Sequence, residues 1–202
     1  MSEVKMHSGR NLVFVTGCGR SGTTYLQRLL ASHPQVKTGP ESHLFSLYID
    51  PLLKAWDYQV KVATRDTRSG SGLPCYMDDA QYINTLKGFL FELLKQMVNN
   101  IERDRIFVEK SPSHVNSISS IHELLPKAQI IHIIRDPRDV VASILAASRS
   151  WGKNWAVDNA KIAAHTWCKH INNVIKASKK LDKSNFLRLG MKPLLPILLN
   201  PW

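Results

Sequence analysis

The sequence predicts an α/β protein built on a doubly wound parallel sheet, with three layers and helices on both faces of the sheet. Four short segments are apolar and rich in β-branched residues, as strands buried on both faces are. They are separated by stretches with helical periodicity, and strands that alternate with helices pair in parallel. The length of 202 residues is enough for one such domain with a substantial core.

The four strands are expected at 11–17, 105–110, 128–136 and 185–189. Two of them, "NLVFVTG" and "AQIIHIIRD", are almost continuously apolar, which is typical of the central strands of a parallel sheet. We therefore expect one domain over residues 11–189, preceded by a short tail, 1–10, and followed by an atypical segment, 190–202.

Periodic apolar positions predict six helices between and after these strands, at 23–32, 43–57, 78–102, 113–125, 137–147 and 156–181. The helix that begins at Pro137 has its proline in the first turn, where no backbone N–H is needed. The stretch 63–74, "ATRDTRSGSGLP", has no periodicity and is rich in Gly, Ser and Arg. It is expected to be a long surface loop and a candidate lid over a substrate.

Composition limits the classes of function. The formal net charge of +11 favours an anionic ligand, but no basic stripe with interleaved aromatic residues indicates nucleic acid. Three widely spaced cysteines show neither metal-ligand nor disulfide spacing, which is typical of a reducing compartment. No signal peptide and no run of about 20 apolar residues is found, so we expect a cytoplasmic protein without a membrane span.

The stretch "GCGRSGTT" (17–24) matches the phosphate-binding pattern G-x-x-x-x-G-K-[ST] except that Thr23 stands in place of the lysine. A glycine loop that opens a helix directs backbone N–H groups and the positive end of the helix dipole at a phosphate. Without the lysine, and without an acidic strand end that would hold Mg²⁺, hydrolysis of a triphosphate is disfavoured and no metal is expected. The candidate anion ligands are Gly19, Arg20, Ser21, Gly22, Thr23 and Thr24.

Three motifs in this order resemble the sulfotransferase family: "FVTGCGRSGTTYLQRLLASHP", "VEKSP" and "IIHIIRDPRDVVAS". The resemblance implies a P-loop NTPase-like sulfotransferase fold. It also implies 3'-phosphoadenylyl sulfate (PAPS) as co-substrate and an unidentified acceptor that bears a hydroxyl or an amine. By the same resemblance, Arg135 and Ser143 bind the 3'-phosphate and Lys110 stabilises the bridging oxygen as the bond to sulfur breaks.

The catalytic base is left open among three residues. Glu41 lies seventeen residues after Thr24, where the tyrosyl-protein branch of the family has a glutamate, and it is favoured. His114 lies near the position of the histidine base in the cytosolic small-molecule branch, and His43 is close to Glu41 in the sequence.

Other conspicuous side chains are expected to be structural. Cys18 is expected to be a small filler in the glycine loop, and His132 a packed core residue. Trp151, Trp155 and Trp167 are expected to pack, or to form one wall of a pocket for an aromatic group.

The last segment, "GMKPLLPILLNPW", departs from the family, which has Arg-Tyr-Glu at this point and continues further. Reading Gly-Met-Lys one base earlier allows Arg-Tyr-Glu, so a frame slip in a truncated gene is one hypothesis. Two other functions stay open: a P-loop nucleotide kinase or NTPase, against which the missing lysine argues, and a non-catalytic binder of adenosine 3',5'-bisphosphate, which the atypical tail favours.

Overall fold

A parallel sheet of five strands forms the centre of the structure, a computed structural model that describes residues 8–65, 70–98 and 105–191. All four strand pairs are parallel, in the order β2-β3-β1-β4-β5. The strands are β1 (Leu12–Gly17), β2 (Val36–Thr38), β3 (Ile106–Lys110), β4 (Gln129–Ile134) and β5 (Phe186–Gly190).

The strand β2 is an addition to the four predicted strands. It has only three residues and lies between Pro34 and Gly39, so it shows no alternation that a sequence pattern would reveal. It is held as a strand by its pairing with β3, in which Val36 lies opposite Ile106 and Thr38 lies opposite Val108.

The described residues contain six α-helices that accompany the sheet: α1 (Thr23–Ala31), α2 (Asp50–Arg65), α3 (Asp79–Met97), α4 (Ile118–Leu124), α5 (Pro137–Ser148) and α6 (Ala160–Ser178). Side-chain caps fix several of their first residues. The Asp78 side chain accepts a hydrogen bond from the Gln81 N–H in a reciprocal capping box before α3, and Asn159 caps α6.

The region after β2 differs most from the prediction. A π-helical turn, Leu44–Ile49, leads directly into α2, which continues to Arg65 rather than ending near 57. The predicted loop over 63–74 is therefore wrong at its start, because no Gly or Pro stands there to end the helix. Residues 66–69 lie outside the described residues, and Leu73–Cys75 form a short 3-10 helix.

The predicted helix over 113–125 is divided in the structure into a 3-10 helix, Pro112–Asn116, and α4. The last predicted helix starts at Ala160 rather than at 156, since its cap is Asn159. The atypical segment is described only as far as Met191, and residues 192–202 lie outside the described residues.

Helices cover both faces of the sheet, which confirms the doubly wound, three-layer architecture. On one face Leu12 and Phe14 of β1 pack in a large cluster with side chains of α3, α4 and α6. On the other face Val15 and Ile133 pack against Leu26 of α1. No helix in the described part of the chain is long and apolar enough to cross a membrane.

Parallel strands bring their carboxyl ends to one edge of the sheet. Gly17 ends β1, Lys110 ends β3, and Arg135 directly follows β4. Open α/β sheets bind ligands at this edge. Residues far apart in the sequence are thereby gathered around the glycine loop.

Candidate active site

The glycine loop, residues 17–24, connects β1 to α1 through a backbone with two left-handed residues, Arg20 (φ 71°) and Gly22 (φ 96°). At Gly17 an added Cβ would lie 2.8 Å from the carbonyl oxygen of Ile133, so this glycine permits close contact with β4. At Gly19 an added Cβ would meet open space.

The helix after the loop is available to an anion. No described side chain caps the N-terminus of α1, and its first turn contains no acidic residue. The first N–H groups of a helix have no partner within the helix, and its dipole favours negative charge at that end. The Ser21 hydroxyl is also buried with no hydrogen-bond partner among the described residues. The loop and helix therefore suit a phosphate.

A pocket of about 660 Å³ lies against the loop. Gly19, Arg20, Thr23 and Thr24 line it from the loop and α1. Other parts of its lining come from Glu41 and His43, from Ser113 and its neighbour Pro112, and from Trp151 and Trp155. The structure thus brings four of the six candidate anion ligands and the favoured candidate base to one cavity, whereas Ser21 and Gly22 are not part of its lining.

Arg20 connects the loop to α5. Its Nε donates a hydrogen bond to Ser143 Oγ at 2.9 Å, and its guanidinium lies 5.0 Å from the centre of the Trp151 ring. Arg135 Nη1 donates to the carbonyl oxygen of Arg20 at 3.2 Å, while its Nε lies 3.5 Å from Asp139 Oδ2. Both residues expected to bind a 3'-phosphate are therefore in contact with the glycine loop.

Glu41 lies between two basic side chains. Its Oε1 accepts a hydrogen bond from Lys110 Nζ, and its Oε2 lies 3.5 Å from His43 Nε2. Lys110 is buried, with 5% of its surface exposed, whereas Glu41 and His43 are partly exposed in the pocket. An accessible carboxylate paired with a buried cation is suited to accept a proton from a group bound in the pocket.

His114 has no exposed surface. Its Nε2 accepts a hydrogen bond from the Phe45 N–H at 3.1 Å, so the ring proton resides on Nδ1, which lies 2.9 Å from Glu109 Oε2. Both ring nitrogens face buried groups, and the side chain has no exposed surface through which an acceptor molecule in the pocket could reach it. The structure therefore places His114 in the core and not in the lining of the pocket, which favours Glu41 over His114 as the base.

Glu109, which is buried beside His114, is a residue of the site that the sequence motifs do not predict. Burial alone would raise the pKa of the Glu109 carboxyl, but hydrogen bonds from His114, Ser111 and Ser42 hold this pKa below its usual value. One feature of the sequence does indicate a role for Glu109. The strand "IFVEK" is predicted to lie in the core, and a carboxylate in the core requires buried hydrogen-bond partners.

Two expectations about packed residues are confirmed. Cys18 is buried in the loop, and burial raises the pKa of its thiol to about 11. His132 is buried in β4, where burial first and then the charges of Arg188 and His170 lower its pKa to about 4.

The tryptophans differ from one another. The rings of Trp151 and Trp155 lie 5.3 Å apart at the pocket with 66% and 51% exposure, so they form a wall rather than a packed core. Trp167 is half-buried, and its Nε1 donates to the carbonyl oxygen of Arg135 at 3.2 Å.

The fold and the loop define the class: an α/β protein with a glycine loop, suited to a phosphate, at the carboxyl edge of a parallel sheet. The family model described as "Sulfotransferase family" matches residues 12–191, and the chain belongs to this family.

Curated relatives are distant and longer. Protein-tyrosine sulfotransferase A of Caenorhabditis elegans is 27% identical over 150 residues, which is 72% of this chain and 37% of that protein. Human protein-tyrosine sulfotransferase 1 is 26% identical over 140 residues, or 69% of this chain and 35% of the relative. The chain thus spans about a third of the length of the curated relatives it matches.

Solved structures show the same fold. A sulfotransferase domain from the curacin biosynthetic pathway aligns with a TM-score of 0.58 and 18% identity, over 94% of this chain and 74% of that one. The sulfotransferase STF1 of Mycobacterium tuberculosis H37Rv aligns with a TM-score of 0.59 and 19% identity, over 98% and 66% of the two chains. Both similarities concern the five-stranded parallel sheet with its flanking helices.

Proposed function

We propose that this chain transfers a sulfuryl group from PAPS to a hydroxyl or amine of an acceptor. One observation carries the proposal: a single pocket joins the glycine loop, which suits a phosphate, to Glu41, which is paired with Lys110. Transfer between a phosphate anhydride and an acceptor needs both an anion cradle and a base, and this pocket offers both.

The residues divide into three roles. Arg20, Thr23, Thr24 and the loop amides hold the 5'-phosphate end of the donor, while Arg135 and Ser143 hold its 3'-phosphate. Lys110 neutralises charge on the oxygen that leaves, and Glu41 accepts the proton of the acceptor. The family membership and the contact of Arg135 and Ser143 with Arg20 support these roles.

The proposed step is an in-line displacement at sulfur. The acceptor oxygen or nitrogen bonds to sulfur as the bond from sulfur to the phosphate oxygen breaks, and the acceptor proton passes to Glu41. The products are the sulfated acceptor and adenosine 3',5'-bisphosphate. The protein contributes position and fixed charge rather than a covalent intermediate. Residues 8–65, 70–98 and 105–191 contain no group of three or more His, Cys, Asp or Glu side chains that could hold a metal ion, and a metal-free site remains a prediction.

Ligand binding tests the donor site first. We expect adenosine 3',5'-bisphosphate to raise the melting temperature, since a ligand at 100 times its Kd stabilises by about 2.7 kcal/mol, and ATP with Mg²⁺ to have little effect. Stabilisation by ATP with Mg²⁺ alone would support a P-loop kinase or NTPase and overturn the proposal.

A pair of arginine variants makes the binding test specific. Arg135→Ala should reduce the advantage of the bisphosphate over adenosine 5'-monophosphate by about 10-fold or more, because a charged hydrogen-bond partner of the 3'-phosphate is lost. Arg138→Ala is the matched control, since Arg138 is exposed and paired with Asp136. An equal loss in both variants would contradict the assignment of Arg135.

Transfer of radiolabelled sulfuryl groups tests the activity itself. The first acceptor to assay is a tyrosine peptide, because several curated relatives are named protein-tyrosine sulfotransferases. An aliphatic alcohol and an amine complete the set. Binding of the bisphosphate without transfer to any acceptor would identify the chain as a non-catalytic binder.

A further inference from the structure

We propose that Glu109 is a positioning residue whose buried carboxylate holds the 41–45 segment, and with it Glu41, in the orientation that the reaction needs. This inference rests on the proposed function, in which Glu41 is the base. Glu109 does not line the pocket and is 2% exposed, so it acts through the segment rather than on the substrate.

Four consecutive backbone N–H groups are connected to this carboxylate. The Ser42 N–H donates to Glu109 Oε1 directly at 3.3 Å. The N–H of His43 donates to Ser111 Oγ, and the N–H of Leu44 donates to Ser42 Oγ, at 3.0 Å and 3.1 Å.

Both serine hydroxyls in turn donate to Glu109 Oε1 at 2.7 Å. The N–H of Phe45 reaches the other carboxylate oxygen through the His114 ring. Every amide from Ser42 to Phe45 is therefore linked to Glu109 directly or through one side chain.

The ionised state of Glu109 fits this arrangement. An ionised carboxylate only accepts hydrogen bonds, and all the groups that face it here are donors. His114 completes the set because its Nε2 must accept from Phe45 and its Nδ1 must then donate to Glu109. A buried charge with several donors tolerates little displacement, since each lost bond leaves a polar group unsatisfied.

The segment needs such support because its backbone is unfavourable. His43 adopts a left-handed conformation, φ 51°, that costs a non-glycine residue on the order of 1 kcal/mol. This left-handed residue lies two positions after Glu41 and begins the π-helical turn. The bonds to Glu109 and its relays hold the chain in this conformation, and Glu41 enters the pocket as a result.

Two adjacent residues of β3, Glu109 and Lys110, both contact Glu41 or the backbone next to it. Glu109 and Lys110 are adjacent in β3, so their side chains point to opposite faces of the sheet. Glu109 binds the backbone after Glu41, while Lys110 binds the Glu41 carboxylate itself. Sulfuryl transfer from PAPS then depends on a base that is fixed both at its backbone and at its charge.

Amide hydrogen exchange tests the positioning without any need for turnover. In Glu109→Gln an NH₂ group replaces one of the two acceptor oxygens, so in either orientation of the amide it faces a donor, His114 Nδ1–H or the Ser42 N–H. We expect the amides of Ser42 to Phe45 to exchange about 10-fold faster or more than in the unmodified chain, because lost bonds open the segment. Ser111→Ala removes one relay only and should accelerate exchange mainly at His43. Unchanged exchange of these amides in both variants would overturn the proposal.

Kinetics then connect the segment to catalysis. We expect Glu109→Gln to lower kcat by about 10- to 100-fold, which is the effect of a displacement of about 1 Å, while the Kd for adenosine 3',5'-bisphosphate stays within about twofold. In a Glu41→Gln background the same change should lower kcat by less than about threefold, because its effect passes through Glu41. An equal loss of kcat in both backgrounds would contradict positioning through Glu41.

His132→Leu is the control for the general effect of losing a buried polar side chain. His132 is as buried as His114, and its Nδ1 lies 3.2 Å from Thr16 Oγ1. This variant should lose stability but keep kcat and the exchange of residues 42–45 within about twofold. If Glu41→Gln retained normal turnover while Glu109→Gln accelerated exchange, the assignment of the base would fail and the anchoring of the segment would stand.

Discussion

The glycine loop and the 41–45 segment line the same pocket, but they are held in place by different means. The loop is shaped by its own backbone, with left-handed residues at Arg20 and Gly22 and an N–H-rich end of α1. The 41–45 segment is shaped by side chains of another strand and the turn after it, above all by Glu109 and His114.

Because of this difference, we expect changes in β3 to affect turnover and nucleotide binding to different extents. The loop needs only local geometry to present donors to a phosphate, so changes in β3 should leave nucleotide binding intact. Glu41, the proposed base, is held by contacts between residues about 70 positions apart, such as its ion pair with Lys110. Damage to β3 should therefore remove turnover before it removes binding.

The largest effect is expected for Glu41→Gln. Loss of a general base lowers kcat by about 10²- to 10⁴-fold, while the loop, which makes no use of this carboxylate, keeps its affinity for the bisphosphate. Steady-state sulfuryl transfer and calorimetric binding measure the two quantities. Glu92→Gln, at an exposed pair with Lys95, is the control and should change neither. Near-normal turnover of Glu41→Gln would remove Glu41 from the role of base.

A change inside the loop should have the opposite signature. Gly22→Ala places a side chain at φ 96°, at a cost of about 1–2 kcal/mol, and its Cβ would lie 2.7 Å from Met191 Sδ. We expect the melting temperature to fall by about 4 °C and the bisphosphate Kd to rise by about 10-fold.

Gly19→Ala is the control for backbone strain, because its Cβ would meet no atom of the protein within 4 Å. The melting temperature of the free protein should stay within about 1 °C. A loss of stability equal to that of Gly22→Ala would show that the loop is not shaped by its left-handed residues.

A smaller effect is expected where the loop touches α5. Ser143→Ala removes the hydroxyl that accepts from Arg20 Nε, which is worth about 1 kcal/mol, so the bisphosphate Kd should rise by about fivefold. Ser148→Ala is the matched control on the same helix, since its hydroxyl donates to the Leu145 carbonyl oxygen at 2.8 Å. Isothermal calorimetry of both variants decides whether Ser143 supports the loop.

The smallest effect is expected in a labelling experiment on the cysteines of the unmodified protein. Because burial raises the pKa of the Cys18 thiol to about 11, little thiolate is present at pH 8, and the thiol is shielded as well. Ellman's reagent should label the exposed Cys75 and Cys168 rapidly in the folded protein and Cys18 only after denaturation. Rapid labelling of all three thiols would mean that the loop opens readily and is not a rigid element.

The sequence reveals local features of this molecule and misses long-range ones. The spacing of Gly17, Gly22 and Thr24, after an apolar strand, is a local pattern, and the loop was predicted from it. The strand β2 is too short for a pattern, and its place depends on pairing with β3.

The role of Glu109 depends on where residues 42–45 meet β3, and no spacing along the chain encodes that meeting. His114 shows the same limit, because its position in the sequence suggested the pocket, whereas the 3-10 helix Pro112–Asn116 places its side chain in the core.

The tryptophan pair at the pocket gives the protein an intrinsic optical probe. Trp151 and Trp155 are solvent-exposed, and Trp151 lies against the guanidinium of Arg20. An anion that binds the Arg20 guanidinium and moves it relative to Trp151 alters the surroundings of an indole ring, and indole emission depends on nearby charge. Occupancy of the site should therefore be visible as a change in fluorescence without any label, and Trp151→Phe should abolish most of that change.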